Sequence, residues 1–192
     1  MGKKVHKVKK LFSNPWINMF EGRAFFSNKE VCWTFASRKE NPLKNKSPDA
    51  VMIVPIISDL GGEPKLLLTK EFRIPVNGYE YGFPAGLLEE GQSLVENANR
   101  ELLEETGFEI TKVLKESPSR LYSTAGLSDE MVAILIVTAR KVAEPSLEET
   151  EEITTLTLSH KDLMEFLKTN PIMGAKAWPI CYAFELAKEF PS

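Results

Sequence analysis

One segment near the middle of the chain has the signals of a well-delimited α-helix. Ser93 is followed three residues later by Glu96, the spacing of a capping box in which each side chain bonds the other residue's backbone amide. Apolar residues then recur at helical spacing from Leu94, and Gly107 supplies a stop. The sequence therefore predicts an amphipathic helix over residues 94–106, whose apolar face must pack against another layer of structure.

That other layer is predicted to be a sheet. Residues 50–57 form an apolar run suited to a buried strand, Gly61 and Gly62 make a turn, and residues 65–73 return as a second strand. Further predicted elements are strands over 132–139 and 153–158, a helix that begins after Ser159 and ends at Leu167, and a helix over 175–189. Because strands and helices mix without a regular βαβ repeat, we expect an α/β (α+β mixed) fold with a mixed sheet flanked by helices.

The first part of the chain has a different pattern. Residues 16–35 are rich in aromatic and β-branched side chains and are interrupted by turn-like segments, which predicts a small antiparallel sheet of two or three strands. Residues 37–49 are polar, contain two prolines and several lysines, and are typical of a linker. We therefore expect a boundary near Ser47, with an N-terminal β element in residues 1–46 and the main domain in residues 47–192.

Composition and charge exclude several classes of function. The net charge of -3 combines a lysine-rich start with a mildly acidic remainder, so no nucleic-acid platform is indicated, and the basic run is typical of a solvated terminus. Cys32 and Cys181 form no CxxC pair, so neither a disulfide framework nor a thiolate zinc site is predicted. No segment has the apolar length of a signal peptide or membrane span. We expect a cytoplasmic protein without nucleic-acid or membrane partners.

Three glutamates form a second face of the predicted helix. Glu105 lies four residues after Glu101 and Glu104 lies three after it, so the three carboxylates share one side and repel each other. Arg100 is placed to relieve Glu104, whereas Glu101 and Glu105 have no helical lysine or arginine at i±4. One interpretation is a solvated charged face. The other is a site for a hard, oxygen-binding cation such as Mg²⁺ or Mn²⁺.

The wider pattern favours the cation site. From Gly86 through Gln92 to the run 100–108, the chain resembles the signature of the Nudix hydrolase family, Gly-x5-Glu-x7-Arg-Glu-U-x-Glu-Glu-x-Gly-U with U bulky and apolar. The resemblance implies a Nudix-type α/β/α sandwich in which Glu101 and Glu105 do most of the metal coordination. Gln92 stands where the family has an auxiliary glutamate, so one outer ligand is altered while the central pair is intact.

Residues before the signature resemble the ADP-ribose pyrophosphatase branch of the family. In that branch an arginine precedes a Glu-x(2-3)-Pro-Ala-Gly segment, and Arg73 and residues 80–86 match this order. The resemblance assigns substrate phosphate to Arg73 and a metal-binding main-chain carbonyl to Ala85, with Glu104 as a further metal ligand. A bidentate guanidinium suits a diphosphate. The alternative for Arg73 is a surface salt bridge.

Two other parts of the chain resemble substrate-enclosing parts of that branch. Residues 122–130 are similar to the loop that lines the sugar side, through Gly126 and Glu130, although Ala125 replaces the usual proline. The alternative is a plain turn. Members of the branch are usually homodimers whose N-terminal sheets help to enclose adenosine, so the resemblance implies a homodimer with Trp33 among the aromatic residues at the substrate. Ordinary packing of a small sheet is the alternative for any one of these aromatic residues.

A run of four glutamates within residues 148–152 matches a loop that carries a catalytic acid in this branch. A general base must come within hydrogen-bond reach of the attacking water, and a mobile loop delivers one after the substrate binds. The resemblance favours Glu149 and Glu151 for this role. The alternative is a solvated loop without a catalytic residue.

The implied activity is Mg²⁺-dependent hydrolysis, with Mn²⁺ as a possible substitute, of the diphosphate bond of ADP-ribose or another nucleoside diphosphate sugar. The products are a nucleoside monophosphate and a sugar phosphate. One alternative is a Nudix pyrophosphatase that acts on nucleoside triphosphates, capped RNA or dinucleoside polyphosphates. Another is a catalytically silent Nudix module that senses a nucleotide sugar, for which Gln92 is the sequence support.

Overall fold

The computed structural model describes residues 4–44, 47–58 and 62–186. The strands are β1 (Val5–Ser13), β2 (Asn18–Phe26), β3 (Lys29–Ser37), β4 (Ala50–Ile57), β5 (Lys65–Arg73), β6 (Gly78–Gly82), β7 (Ala85–Leu87), β8 (Phe108–Glu116), β9 (Val132–Lys141) and β10 (Ile153–Leu158). The helices are α1 (Leu94–Thr106), α2 (His160–Lys168) and α3 (Ala177–Leu186). The chain divides into one unit of residues 1–50 with 118–133, and a second unit of residues 51–117 with 134–192.

The first unit contains an antiparallel sheet in the order β1-β2-β3. The small N-terminal sheet was predicted, but β1 starts at Val5, within the lysine-rich run that was interpreted as a solvated terminus. The pairing of β1 with β2 shifts register twice, between Val5 and Lys7 and between Lys10 and Phe12. Each bulge adds an unpaired residue, so the alternation of apolar and polar side chains that identifies a strand is broken.

The segment after β3 is tied into this unit rather than being a free linker. The Lys39 ammonium lies 2.8 Å from an Asp49 carboxylate oxygen, and the Lys39 carbonyl accepts a bond of 3.3 Å from the Asn18 amide. Residues 118–133 also join the unit, since the Ala36 amide donates to the Leu127 carbonyl at 2.8 Å. The predicted boundary near Ser47 stays a prediction, and it adjoins residues 45–46, which lie outside the described part of the chain.

The second unit is built on a larger sheet in the order β10-β5-β4-β9-β8, with β6 paired to β5 and β7 paired to β4. Helix α1 has the predicted ends, and both bonds of the capping box between Ser93 and Glu96 are present. Gly107 has a left-handed φ of 72°, and its amide donates to the Leu103 carbonyl, which ends the helix. The mixed α+β fold predicted from the sequence is confirmed.

The core of the second unit joins α1 to the sheet. Its buried side chains include Ala98 and Leu102 from the apolar face of α1, which pack with residues of β4, β5 and β9. Leu102, Leu67 and Leu135 have no exposed surface. Burial of a leucine side chain contributes about 1.5 to 3 kcal/mol, so this contact fixes α1, and the glutamates on its other face, against the sheet.

Several elements differ from the sequence-based expectations. Strand β8 was not predicted because its side chains are mostly half-buried or exposed and include two lysines and two glutamates. The Pro-Ala-Gly segment enters the short strand β7, which was not predicted. Helix α3 begins at Ala177 instead of residue 175, and the rest of its predicted range, 187–189, lies outside the described residues, as does Gly61 of the predicted turn. No helix in the described ranges is long and apolar enough to cross a membrane.

Candidate active site

The site begins where β7 passes the acidic face of α1. The Ile53 amide of β4 donates to the Pro84 carbonyl at 2.8 Å, which holds the entry to β7. A Cβ atom on Gly86 would lie 1.8 Å from the carboxyl carbon of Glu101, far inside the distance of any real contact. Glycine at this position therefore allows the Glu101 carboxylate to lie directly against the main chain of β7.

Glu105 is the most deeply placed carboxylate of the site, with 5% of its surface exposed. Burial, followed by the negative charges of Glu101, Glu71 and Glu151, raises the pKa of Glu105 from 4.5 to about 9, while a bond from the Ala85 amide opposes the increase. The two glutamates predicted as central ligands are therefore neighbours, and the main chain of Ala85 lies beside them.

Glu71 on β5 acts on Glu105 together with Glu101 and Glu151, and these four glutamates are called the acidic cluster below. Glu71 was not identified as a site residue from the sequence. It lies opposite Ile153 of β10 on one side and opposite Glu80 of β6 on the other. Burial raises the pKa of Glu71, and the negative charges of Glu151 and Glu80 add to the increase while Arg73 opposes it. Only the pairing of three strands reveals this position. The available sequence signal was an acidic residue within a strand otherwise rich in leucine.

Glu149 and Glu151 lie in different surroundings in the structure. The charge of Glu151 raises the pKa values of Glu71, Glu101 and Glu105, so Glu151 lies within electrostatic reach of all three carboxyl groups. Glu149 is exposed, and it is not one of the main charges that raise those three pKa values. A Glu151 carboxylate oxygen accepts a bond of 3.1 Å from the Glu148 amide. Of the two glutamates favoured by the sequence, the structure brings Glu151 to the site.

The loop with Glu151 is attached to the sheet at its C-terminal end. The Phe72 amide of β5 donates to the Glu152 carbonyl at 3.3 Å, and the Tyr79 hydroxyl of β6 donates to the Glu152 carboxylate. The ammonium of Lys70 lies 4.5 Å from the centre of the Tyr79 ring. Main-chain and side-chain contacts thus fix the residue directly after Glu151.

Arg100 neutralises the outer part of the acidic face. One guanidinium nitrogen lies 2.8 Å from Glu104, and the other lies 2.7 Å from Glu101. Arg100 was expected to relieve Glu104. No lysine or arginine lies at i±4 from Glu101, as the sequence indicated, but the adjacent residue Arg100 also reaches Glu101. The Glu104 side chain is 45% exposed and directed to Arg100, so the structure places Glu104 at the edge of the cluster and not beside Glu105.

Arg73 lies on the same face of β5 as Glu71, two residues along the strand. Its guanidinium is 2.7 Å from a Glu71 carboxylate oxygen and 3.8 Å from Glu80, and 48% of the side chain is exposed. The salt bridge offered as the alternative from the sequence is therefore present. The exposed fraction also leaves donors of the guanidinium accessible to a substrate.

The first unit holds the other predicted substrate residues. The Trp33 indole donates to the Gly126 carbonyl at 3.1 Å, and Arg38 lies 2.8 Å from a Glu130 carboxylate oxygen. Open space surrounds the position of a Cβ on Gly126, so a side chain there meets no steric barrier. Arg38 was missed because it lies in the polar stretch interpreted as linker. It lines a small surface cavity with Ile17, Ala36, Ser37, Ser128 and Glu130.

The residues of the second unit fit a divalent cation by their chemistry. In the described ranges, no three His, Cys, Asp or Glu side chains are already arranged to hold an ion. Glu101 is paired with Arg100, and Glu71 is paired with Arg73. Even so, Glu105 is a buried carboxylate facing three like charges, and a hard dication offsets such repulsion while accepting oxygen ligands.

Comparison with known proteins identifies the family. The model of the NUDIX domain matches residues 46–175. The chain belongs to the Nudix family. It is a hydrolase, and divalent-metal dependence is general among Nudix hydrolases. A solved structure described as an ADP compounds hydrolase has a TM-score of 0.71 at 25% identity and covers 98% of this chain and 95% of that chain, so the Nudix fold is shared.

Several relatives of this Nudix chain act on ADP-containing compounds according to their names. The ADP-ribose pyrophosphatase of Bacillus subtilis is 30% identical over 140 residues, 71% of this chain and 72% of that protein. The ADP compounds hydrolase NudE of Escherichia coli is 38% identical over 103 residues, 52% of this chain and 49% of that protein. The ADP-sugar pyrophosphatase of Mus musculus is 33% identical over 123 residues, which are 64% of this chain and 55% of that protein. The chain thus matches about half the length of the last two.

Proposed function

We propose that the protein hydrolyses the diphosphate bond of ADP-ribose and related nucleoside diphosphate sugars in a metal-dependent reaction. The products are a nucleoside monophosphate and a sugar phosphate. The observation that carries the proposal is the buried Glu105 carboxyl, which the Ala85 amide contacts and whose pKa is raised by burial and by the charges of Glu101, Glu71 and Glu151. The named activities of the relatives from Bacillus subtilis, Escherichia coli and Mus musculus support the choice of substrate.

Glu101, Glu105 and the Ala85 carbonyl are the proposed holders of Mg²⁺, for which Mn²⁺ is a substitute, and Glu104 is a further ligand on the outer side. A bound divalent cation supplies charge neutralisation for the diphosphate and lowers the pKa of a water molecule. The Glu104 carboxylate is paired with Arg100, so it must leave that partner to bind a cation. Gly86 leaves the space that the Glu101 carboxylate occupies.

Glu151 is the proposed general base. Its carboxylate faces the other acidic groups, and its loop is attached to the sheet through the next residue, Glu152. The base takes a proton from the attacking water as oxygen bonds to one phosphorus, and the bond from that phosphorus to the bridging oxygen breaks. The electron pair leaves with the second phosphate group, and no covalent enzyme intermediate forms. Glu149 is the second candidate for this role.

The remaining proposed contacts concern the rest of the substrate. Arg73 binds the diphosphate through its exposed guanidinium. Trp33, Gly126 and Glu130 are proposed to contact the nucleoside and sugar. Trp33 is 59% exposed, which supports a role for its ring as a stacking surface. We also propose a homodimer formed through the N-terminal sheet, because that sheet and the connection between β1 and β2 expose several aromatic residues, namely Phe12, Trp16, Phe25, Phe26 and Trp33.

The proposal is tested with purified full-length protein on a panel of nucleotide sugars, nucleoside triphosphates, dinucleoside polyphosphates and capped RNA, with Mg²⁺ and with a chelator. Cleavage of ADP-ribose or another diphosphate sugar that stops with the chelator is the expected result. Turnover of triphosphates, polyphosphates or capped RNA without turnover of sugars would replace the proposed substrate class. Binding of ADP-ribose without any turnover would indicate a nucleotide-sugar sensor.

The Glu105→Gln variant tests the residue that carries the proposal. Loss of a central carboxylate ligand is expected to reduce turnover of ADP-ribose by at least about 100-fold, because changes to outer-shell partners of a metal ligand already cost about 10- to 100-fold. Glu165→Gln is the matched control, because it removes the same charge from an exposed helical position paired only with Lys168 in the described residues. Activity of the Glu105 variant above one tenth of the parent would contradict the metal role.

A further inference from the structure

The side-chain amide of Gln92 is hydrogen-bonded to the carboxylate of Glu89. Its side-chain nitrogen donates to a Glu89 carboxylate oxygen at 2.5 Å, and its backbone amide donates to the Glu89 carbonyl at 3.4 Å. Gln92 occupies the position at which the family signature has glutamate. An ionised glutamate has no proton to donate, so the contact with Glu89 depends on the departure from the signature.

The main chain of Glu89 is fixed independently of that contact. The Glu89 amide donates to the side-chain oxygen of Asn97 at 2.8 Å, and the side-chain nitrogen of Asn97 donates to the Ser93 carbonyl at 3.0 Å. Asn97 has no exposed surface, so its side chain is fixed in the structure. The Glu89 side chain is 54% exposed, so packing alone does not fix its orientation. The hydrogen bond from the Gln92 amide orients it.

The other oxygen of Glu89 faces Arg100. The Arg100 Nη2 atom lies 3.5 Å from Glu89 Oε1 and 2.7 Å from Glu101 Oε1. The same nitrogen donates to the Leu87 carbonyl at 3.4 Å. Glu89 and Glu101 therefore share one donor group, the first from the loop before α1 and the second from the helix itself.

We propose that Glu89 supplies the carboxylate that position 92 lacks, and that Gln92 is the positioning residue that holds it beside Arg100. The inference rests on the proposed metal-dependent function. When Glu89 is present, Arg100 has a third carboxylate partner besides Glu101 and Glu104, and the Glu101 carboxylate is available to a divalent cation. Without Glu89, Arg100 is left with Glu101 and Glu104 alone and competes with the cation for Glu101.

The test measures Mn²⁺ affinity by calorimetric titration of the full chain, together with the Mg²⁺ concentration for half-maximal hydrolysis. Glu89→Gln is expected to weaken Mn²⁺ binding about tenfold and to raise the Mg²⁺ requirement similarly, the lower end of the effect of an outer-shell partner. Gln92→Glu is expected to give no gain, because a carboxylate already serves Arg100. The double variant Glu89→Gln/Gln92→Glu is expected to regain most of the lost affinity, since it carries the amide and the carboxylate in exchanged positions.

Glu90→Gln is the control, since it removes the same charge one residue away and Glu90 has no side-chain partner recorded in the described ranges. Its affinity is expected to match the parent. Three results would overturn the inference: unchanged Mn²⁺ affinity in Glu89→Gln, a tenfold gain in Gln92→Glu alone, or no recovery in the folded double variant. If the parent and the variants bind Mn²⁺ with the expected order of affinities but the parent cleaves no diphosphate, the proposed function is refuted. The role of Glu89 in cation binding is then retained.

Discussion

Glu105 has surroundings that favour its protonated form. Burial and three neighbouring carboxylates raise its pKa to about 9 in the folded protein, against 4.5 for the unperturbed group. The folded state therefore holds this proton more tightly than the unfolded state. The stability that the proton contributes is fully present below pH 4.5 and is lost as the pH rises towards about 9.

The stability of metal-free protein is therefore expected to fall between pH 6 and pH 8, and Glu105→Gln is expected to reduce that fall. Gln carries no charge to repel Glu71, Glu101 and Glu151, so the variant gains more over the parent at pH 8 than at pH 6. We expect its Tm at pH 8 to exceed that of the parent by at least about 2 °C, which corresponds to less than 1 kcal/mol in a domain of this size. Thermal unfolding with a chelator measures this. Equal differences at both pH values would contradict the pKa.

Gly86→Ala is expected to reduce kcat by about 100-fold, the effect of moving a reacting group by about 1 Å. The added methyl group would lie 1.8 Å from the Glu101 carboxyl carbon and must displace that side chain. Gly82→Ala is the matched control, because open space surrounds the corresponding position on β6. Steady-state kinetics and Mn²⁺ titration of the two variants provide the comparison. Equal activity of both would show that Glu101 does not need its position against β7.

At the scale of residues, the sequence predicted the part of the site that lies on one helix. Glu101 and Glu105 are related by helical periodicity, which is local and visible in the chain. Glu71 joins them only through pairing of β5 with β6 and β10, a long-range relation that no spacing in the sequence records. The choice between Glu149 and Glu151 likewise depends on how a loop turns, and two residues of the same type in a row of glutamates give no local signal.

Strand β6 supports the loop that carries Glu151, and this support is a property of the element. Tyr79 lies in β6 opposite Phe72 of β5, and its hydroxyl reaches Glu152 at the end of the loop. Because Phe72 also holds the Glu152 carbonyl, the main chain remains attached if the hydroxyl is removed. Loss of the hydroxyl therefore loosens the side chain of Glu152 without detaching the loop.

Tyr79→Phe is accordingly expected to lower kcat about fivefold, the cost of about 1 kcal/mol expected for one hydrogen bond, with little change in KM. Tyr182→Phe on α3 is the control for loss of a tyrosine hydroxyl. Hydrogen exchange of residues 148–152 should become moderately faster in the Tyr79 variant alone, because the loop end then keeps only its main-chain bond to Phe72. A change in KM with constant kcat would instead place Tyr79 at the substrate.

Elements were predictable in proportion to how local their signals are. Helix α1 was predicted to the residue because its cap, its apolar period and its glycine stop all lie within the segment. Strand β8 pairs with β9 through two register shifts and has few buried side chains, so no regular alternation marks it. Strand β1 was hidden for the same reason, and its lysines added a misleading charge signal.

At the scale of the whole molecule, the N-terminal sheet determines the expected assembly. Trp16 is 76% exposed and Phe12 is 55% exposed, and exposed apolar surface of this kind is typical of an interface. Replacing both with serine is expected to weaken dimerisation at least tenfold, as measured by light scattering over a concentration series. Ile172→Ser with Leu186→Ser is the control, because both residues are exposed and apolar but lie in the other unit. A monomeric parent at high concentration would contradict the proposed homodimer.

The two bulges of β1 limit the ways in which such an assembly forms. A regular strand at the edge of a sheet presents a continuous row of unpaired backbone amides and carbonyls, with which a strand of another molecule can pair. In β1 that row is interrupted twice along nine residues, and lysines flank the interruptions. Edge-to-edge growth into fibrils is thereby disfavoured, and contact through a side-chain face remains the available mode. The same irregularity that concealed the strand in the sequence protects the protein against open-ended aggregation.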